Sequence, residues 1–362
     1  MIHAVVMAGG SGTRFWPVSR KLRPKQLLPI TGGLPMVAET VERVRSAIPP
    51  GRTWVVTHRD QAAGVRSALP DVPADHVIAE PCARNTCACA ALAAEVISRR
   101  DPQAVLVTMP ADHDIRPADR FVDTLLAGCE SVEQHGGLMV FGIQPTYPAT
   151  GYGYIQRGES AHRSRGLEVR RVRRFREKPD AKTAAEFLAT GEYLWNSGIF
   201  VWRASTILEE VGRFEPKLAS ELAQFGRAVG TAGESDALAS AYAAIPSVSV
   251  DVAILERAAN VRVIAIDYSW SDVGSWDALD EILETDAEGH RTVLPSGSEF
   301  VSIDAKNCLV QSSASHAVAL VGVEGLIVVH TPDATLVCRR GSAENVKKVV
   351  EELARRKREE LL

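Results

Sequence analysis

The sequence predicts an α/β protein: a mostly parallel sheet with helices on both faces, plus a small C-terminal β domain that ends in a helix. Through the first two-thirds of the 362 residues, apolar runs of strand length alternate with helical patterns, as a covered parallel sheet requires. From about residue 286 short strand-like runs follow one another with turns between them, which reads as a small all-β unit, packed separately or wrapped against the main domain. The closing segment is apolar at helical spacing.

Ile2 to Met7 opens the chain as an unbroken apolar strand. Further strands are predicted at 53–57, 104–109, 138–142, 198–202 and 261–266, and helices at 36–48, 85–100, 118–134, 181–190 and 204–213. The helix at 36–48 places Val37, Val41, Val44 and Ile48 on one face. The chain then divides at 285/286, with residues 1–285 as the α/β domain and 286–362 as the small β domain. In the latter, EFVSIDAKN, CLVQSS, AVALVG, GLIVVHT and ATLVCRR read as strands, and no internal repeat stands out. In the final helix Ser342 is placed to cap, Glu344 suits the positive first turn, and Arg355 to Arg358 suit the negative end.

A net charge of −4 provides no global basic field for nucleic acid. No stretch approaches the roughly 20 apolar residues of a membrane span. The N-terminus reaches glycine by residue 9 without a charged leader, so no secretory signal is expected. The six cysteines (82, 87, 89, 129, 308 and 338) show neither a CxxC pair nor a zinc spacing. Reduced thiols in a cytoplasmic protein are expected, with Cys87 and Cys89 acting as small apolar residues of an alanine-rich helix.

The first strand runs into Ala8-Gly9-Gly10-Ser11-Gly12-Thr13-Arg14, followed by a basic tract of Arg14, Arg20, Lys21, Arg23 and Lys25. Glycines that admit close backbone approach, backed by fixed cations, suit a polyphosphate. The spacing is neither that of a Walker loop nor that of the dinucleotide fingerprint. The alternative is a surface glycine loop with incidental arginines.

Other polar motifs interrupt apolar sequence. Asp112 and Asp114 follow the strand AVLVTM, where a carboxylate could hold Mg²⁺ or cap the helix near Pro117. Asp272 lies in SWSDVGSW, as a second metal ligand or a turn residue. Glu177 and Lys178 end the run VRRVRRFREKP, suited to sugar hydroxyls and a phosphate, or simply solvated. Asn196 precedes the strand at 198–202 and can both donate and accept. Glu80, Asn85 and Thr86 lie in EPCARNT, where Asn85 or Thr86 could cap a helix or read a base edge.

Together and in this order, GGSGTRFWPVSRKLRPKQ, EPCARNT, PADH, GIQPTYPATGYGYI, FREKP, WNSGIFVW and WSDVGSW resemble the bacterial mannose-1-phosphate guanylyltransferases over essentially the whole chain. The opening motif is shared with sugar-nucleotide pyrophosphorylases in general; EPxxRNT and WSDVGSW narrow it to the guanylyl, mannose-type branch. The resemblance implies a Rossmann-like, GT-A-like nucleotidyltransferase fold with a β-helix-like C-terminal domain. It implies GTP and α-D-mannose 1-phosphate as substrates, GDP-mannose and pyrophosphate as products, and Mg²⁺ as cofactor. By motif match, Arg14 and Lys25 would act on the triphosphate, and Asp112 and Asp272 would hold the metal. Gly9, Gly10, Gly12, Thr13, Glu80, Asn85 and Thr86 would contact the nucleotide. Gly142, Glu177, Lys178 and Asn196 would hold the sugar phosphate.

Relatives commonly follow RNT with Ala-Pro, where this chain has Cys87-Ala88; the helix start and base selectivity are where a difference is expected. The cupin domain of bifunctional relatives is not seen in this sequence, so phosphomannose isomerase activity is not expected. Neither nucleic acid nor membrane is an expected partner, and a homodimer is a candidate assembly. The competing readings are a nucleotidyltransferase for another sugar 1-phosphate or base, and a catalytically silent paralogue. Retention of Arg14, Lys25, Asp112 and Asp272 argues against the latter.

Overall fold

The unbroken apolar runs form the middle of one nine-stranded sheet. The computed structural model describes residues 1–10 and 12–362; Ser11 of the glycine loop lies outside the described residues. By internal contacts the chain falls into two compact units. One comprises Met1–Gly9, Val41–Ala111 and Ile115–Trp270; the other comprises Gly10–Thr40, Asp112–Asp114 and Ser271–Leu362. The glycine loop from Gly10 onward thus groups with the C-terminal segment, a grouping that differs from a single cut at 285/286.

The large sheet belongs to the first unit. Its strands are β1 (Ile2–Ala8), β2 (Thr53–His58), β3 (Val77–Glu80) and β4 (Val105–Pro110), then, after the short separate β5 (Asp114–Arg116), β6 (Leu138–Ile143), β7 (Tyr154–Ser164), β8 (Leu167–Arg176), β9 (Tyr193–Arg203) and β10 (Val261–Ile266). They lie in the order β3-β2-β1-β4-β9-β6-β10-β8-β7. Only β8 and β9 run against the rest: β9 is antiparallel to β4 and β6, and β8 is antiparallel to β10 and β7. The other strands share one direction, so the sheet is mostly parallel.

Helices cover both faces. Successive residues of β6 alternate sides: Leu138 and Val140 join the core that contains the helix at 85–100, while Met139 and Phe141 approach Gly128 on the opposite side. After α1 (Met36–Val44) and α2 (Ala62–Ala68), α3 (Asn85–Arg100) is apolar nearly all round, as a helix buried between layers must be. It packs with α6 (Ala204–Phe214), α7 (Pro216–Gly226) and α8 (Glu234–Ala244), introduced in chain order after α4 (Ala118–His135) and α5 (Ala181–Thr190). Cys87 and Cys89 sit in this core as expected, and burial pushes the Cys87 thiol up to about 12.

Three local expectations change. The first helix stops at Val44, and Ile48 closes a turn back onto it; Pro49 and Pro50 follow and disfavour helix before them. The strand predicted at 198–202 begins at Tyr193, so Asn196 lies inside β9 rather than ahead of it. Neither Asp112 nor Asp114 caps α4: the residue before that helix is Pro117, and no side chain caps it among the described residues.

In the second unit, after β11 (Ser269–Ser271), come β12 (Arg291–Val293), β13 (Glu299–Ile303), β14 (Leu309–Ser312), β15 (Ala317–Val321), β16 (Leu326–Thr331) and β17 (Ala334–Arg339). Arg291 pairs with Leu309, Leu309 with Ile327, and Glu299 with Ala317, all in parallel and all 18 residues apart. A repeat therefore exists in geometry where none stands out in sequence, because stacked positions hold unlike residues: Arg291, Leu309 and Ile327 form one column, and Val293, Gln311 and Val329 another. The last helix, α9, spans Val346–Arg355. Ser342 does not cap it; the Asp277 carboxylate accepts from the N–H groups of Gly341 and Ala343, at 2.7 and 3.0 Å.

Candidate active site

Two groups of polar residues assemble, one within each compact unit. In the second unit a cavity of about 380 Å³ is lined by Gly12, Thr13, Arg14, Lys25, Asp112 and Asp272, together with residues of their loops and Lys347 of α9. Gly12 has φ +60°, and a Cβ there would lie 2.5 Å from that of Lys25. Only glycine fits, and its absence of side chain is what brings Lys25 against the loop.

Lys25 is buried. Its Nζ donates to Asp112 Oδ2 at 2.9 Å and to the Asp272 carbonyl at 2.8 Å. Burial alone would raise the Asp112 pKa, but the charges of Lys25 and His113 and the Lys25 hydrogen bond hold it below its ordinary value. Asp112 is thus an anion at neutral pH. Arg14 lies at the exposed rim, paired with Glu344 at 2.8 Å. Arg20 turns to Asp333 instead, and Lys21 and Arg23 are exposed. Beside Gly9 and Gly10 there is open space at the Cβ position.

Behind the cavity, Phe15 meets Trp276 edge to face at 4.8 Å, and Trp276 Nε1 donates to the Trp16 carbonyl. Val273 is fully buried in the same core, which fixes the loop bearing Asp272. Among the described residues no cluster of three or more His, Cys, Asp or Glu could hold a metal. Two carboxylates on one cavity do match the donor set of Mg²⁺, which takes one or two carboxylates and completes its shell with phosphate oxygens and water.

In the first unit, Gly142 of β6 and Asn196 of β9 are direct cross-strand partners. A Cβ on Gly142 would strike Leu194 at 2.5 Å, and one on Gly153 would lie 2.6 Å from Glu177 Oε2. Asn196 Nδ2 donates to Asp251 Oδ1 at 2.9 Å. Glu177 pairs with Lys178 at 2.7 Å, and its backbone N–H donates to the Glu256 carboxylate. Burial, then the nearby Glu177 carboxylate, push Asp251 up to about 7, against Lys178 and the Asn196 hydrogen bond.

Glu80 is buried and accepts from the Tyr242 hydroxyl at 2.9 Å. Burial pushes its pKa up to about 7, against that hydrogen bond. Asn85 and Thr86 do not cap α3 in the expected way. The Asn85 amide oxygen accepts from the adjacent Thr86 N–H, and the Thr86 hydroxyl accepts from Val250 N–H. With Cys87-Ala88 in place of Ala-Pro, α3 still starts at Asn85.

Among the described residues seven non-glycine positions have positive φ, and three of them are Asn85 (+65°), Lys178 (+42°) and Val273 (+46°). All three fall in the polar motifs, and a β-branched residue in that region is strained. Sequence reasoning missed Asp251 and Lys347. Asp251 is the one acid in VSVDVAIL, an anomaly within an apolar run, and it opens a π-helical turn of the kind often found at sites. Lys347 offered no signal beyond its charge.

A fold of this topology with a cationic cavity beside a glycine loop defines a nucleotide-handling α/β protein, and comparison gives its family. Residues 3–289 match the family model described as nucleotidyl transferase, and residues 298–353 match that of the MannoseP isomerase/GMP-like beta-helix domain. The chain belongs to the nucleotidyl transferase family. It is 38% identical over 370 residues to a mannose-1-phosphate guanylyltransferase of Escherichia coli, covering 99% of this chain and 75% of that one. It is 37% identical to the xanthan biosynthesis protein XanB of Xanthomonas campestris pv. campestris (strain B100), covering 96% and 72%. A crystal structure described as a mannose-1-phosphate geranyltransferase from Thermus thermophilus matches with a TM-score of 0.86 at 32% identity, covering 98% and 99%.

Proposed function

We propose that this enzyme transfers GMP from GTP to α-D-mannose 1-phosphate, giving GDP-mannose and pyrophosphate. The observation that carries the reading is the cavity in which Arg14, Lys25, Asp112 and Asp272 converge beside the glycine loop. Likeness over nearly the full chain to proteins named mannose-1-phosphate guanylyltransferase supports the choice of substrates.

In this reading an oxygen of the sugar phosphate attacks the α-phosphorus in line. The new O–P bond forms as the bond to the β-phosphate oxygen breaks, and pyrophosphate leaves with the electron pair. A phosphate's second pKa is about 6, so the nucleophile is already ionised and needs no general base. The barrier is the approach of two anions and the charge on the leaving group. Arg14 and Lys25 supply fixed positive charge there. Asp112 and Asp272 would hold Mg²⁺, which when bound neutralises phosphate charge. Gly9, Gly10, Gly12 and Thr13 offer backbone to the nucleotide, while Glu80, Asn85 and Thr86 address ribose or guanine. Gly142, Glu177, Lys178 and Asn196 hold the mannose 1-phosphate, with Asp251 orienting the Asn196 amide. The proposed catalytic domain is 1–285 and the small β domain 286–362; the compartment is proposed to be the cytoplasm and the assembly a homodimer.

Pyrophosphate release measured across four NTPs and several sugar 1-phosphates tests this. GTP with mannose 1-phosphate is expected to give the highest kcat/KM; faster turnover of UTP or dTTP with glucose 1-phosphate overturns the substrate assignment.

A further inference from the structure

The C-terminal helix α9 is built onto the glycine loop within one compact unit. Val346, Val349, Val350 and Leu353 share a core with Phe15 and Trp16, and Trp16 Nε1 donates to the Leu361 carbonyl at 2.9 Å. Glu344, just before the helix, pairs with Arg14. Lys347, in the first helical turn, lines the same cavity as Arg14, Lys25, Asp112 and Asp272. Lys348, its neighbour, does not.

Of the three cations on this cavity, Lys25 faces the Asp112 carboxylate and Arg14 faces that of Glu344. No ion pair engages Lys347 among the described residues. It also stands at the positive end of α9, where a cation is disfavoured. A multiply charged anion in the cavity would offset both. We propose that Lys347 is a third cation of the polyphosphate site, binding the β- and γ-phosphates of the triphosphate and the pyrophosphate they become. The inference rests on the reading that this cavity takes the nucleotide's phosphates. It makes the C-terminal helix part of the site.

The test is calorimetric titration of the full chain with magnesium pyrophosphate, alongside initial rates. Lys347→Ala is expected to weaken pyrophosphate binding about tenfold, as loss of one charged hydrogen bond does. KM for GTP should rise by a similar factor, with KM for mannose 1-phosphate within about twofold of the parent. Lys347→Arg should restore most of the affinity, and Lys348→Ala should bind as the parent does. Lys347→Ala binding pyrophosphate as tightly as the parent, or a parent that binds none, overturns the inference. A parent that binds pyrophosphate through Lys347 yet makes no GDP-mannose overturns the substrate reading and leaves Lys347 in place.

Discussion

Lys25 carries three duties at once: it packs under Gly12, neutralises Asp112 and ties down the Asp272 loop. Removing it leaves a carboxylate without its cation and takes positive charge from the cavity. Lys25→Ala and Asp112→Ala are each expected to lower kcat at least about a hundredfold, the scale of a lost electrostatic stabiliser. Steady-state rates on variants with parent-like circular dichroism check this, and near-normal turnover in either would remove the assigned role. Glu80 gives a pH prediction. Its pKa moves from 4.5 to about 7 in the folded chain, so between those values the folded state binds more protons than the unfolded state. Stability from this group is therefore full below about pH 4.5, falls as pH rises, and levels off above about 7. Asp251 acts in the same sense, from 3.8 to about 7. Thermal midpoints followed across that window should fall less steeply in Glu80→Gln, and least in the double variant with Asp251→Asn. Identical slopes in parent and double variant would contradict the burial argument.

Elements whose cause is local were legible in the sequence, and those fixed by distant partners were not. The helices at 85–100 and 181–190 appear with the predicted bounds, because apolar spacing and the Asp180 cap of α5 lie within the segments themselves. The sequence predicts β9 only from Gly198 because the polar Asn196 and Ser197 break its apolar run. What extends the strand back through them is the pairing of Trp195 with Tyr154 and of Asn196 with Gly142 on neighbouring strands, with a shift of register between Asn196 and Phe200. The start of α9 makes the same point. Ser342 has the right type for a cap, yet α9 begins at Val346 with no side-chain cap, and Asp277, remote in sequence, holds the turn before it through the N–H groups of Gly341 and Ala343. Asp277→Ala removes both hydrogen bonds to that turn and is expected to cost about 1–3 kcal/mol, whereas Ser342→Ala should stay within about 0.5 kcal/mol. Urea denaturation of both variants measures the difference, and equal losses would remove the role given to Asp277. The proposed site residues divide likewise: Arg14, Lys25, Asp112 and Asp272 stand out by type and motif, while Asp251 and Lys347 are proposed from neighbours that only the fold supplies.

At the scale of the molecule, chain order and packing disagree, and the disagreement has a testable consequence. The texture of the sequence changes near residue 286, which marks a small β unit but leaves open whether it packs separately or against the rest. Contacts instead group residues 10–40 with 271–362. Phe15, Trp16, Leu28 and Ile30, which support the glycine loop, share one core with Leu309, Ile327, Val329 and Val346. A chain ending at Thr285 keeps the loop and loses the other side of that core. Burial of each such side chain is worth about 1.5–3 kcal/mol, so exposing four approaches the ~5–15 kcal/mol net stability of a whole domain. The apolar core on the nine-stranded sheet is formed from residues of the first unit. The truncated chain is therefore expected to retain much of its far-ultraviolet circular dichroism while losing pyrophosphate binding and at least about 99% of turnover, as the phosphate-loop cations lose their support. Limited proteolysis should cut it first between residues 10 and 40. A chain ending at Thr285 with the parent's kcat and pyrophosphate affinity would show that the loop keeps its shape without the β domain. It would then be the sequence boundary, and not the packing, that marks the working unit.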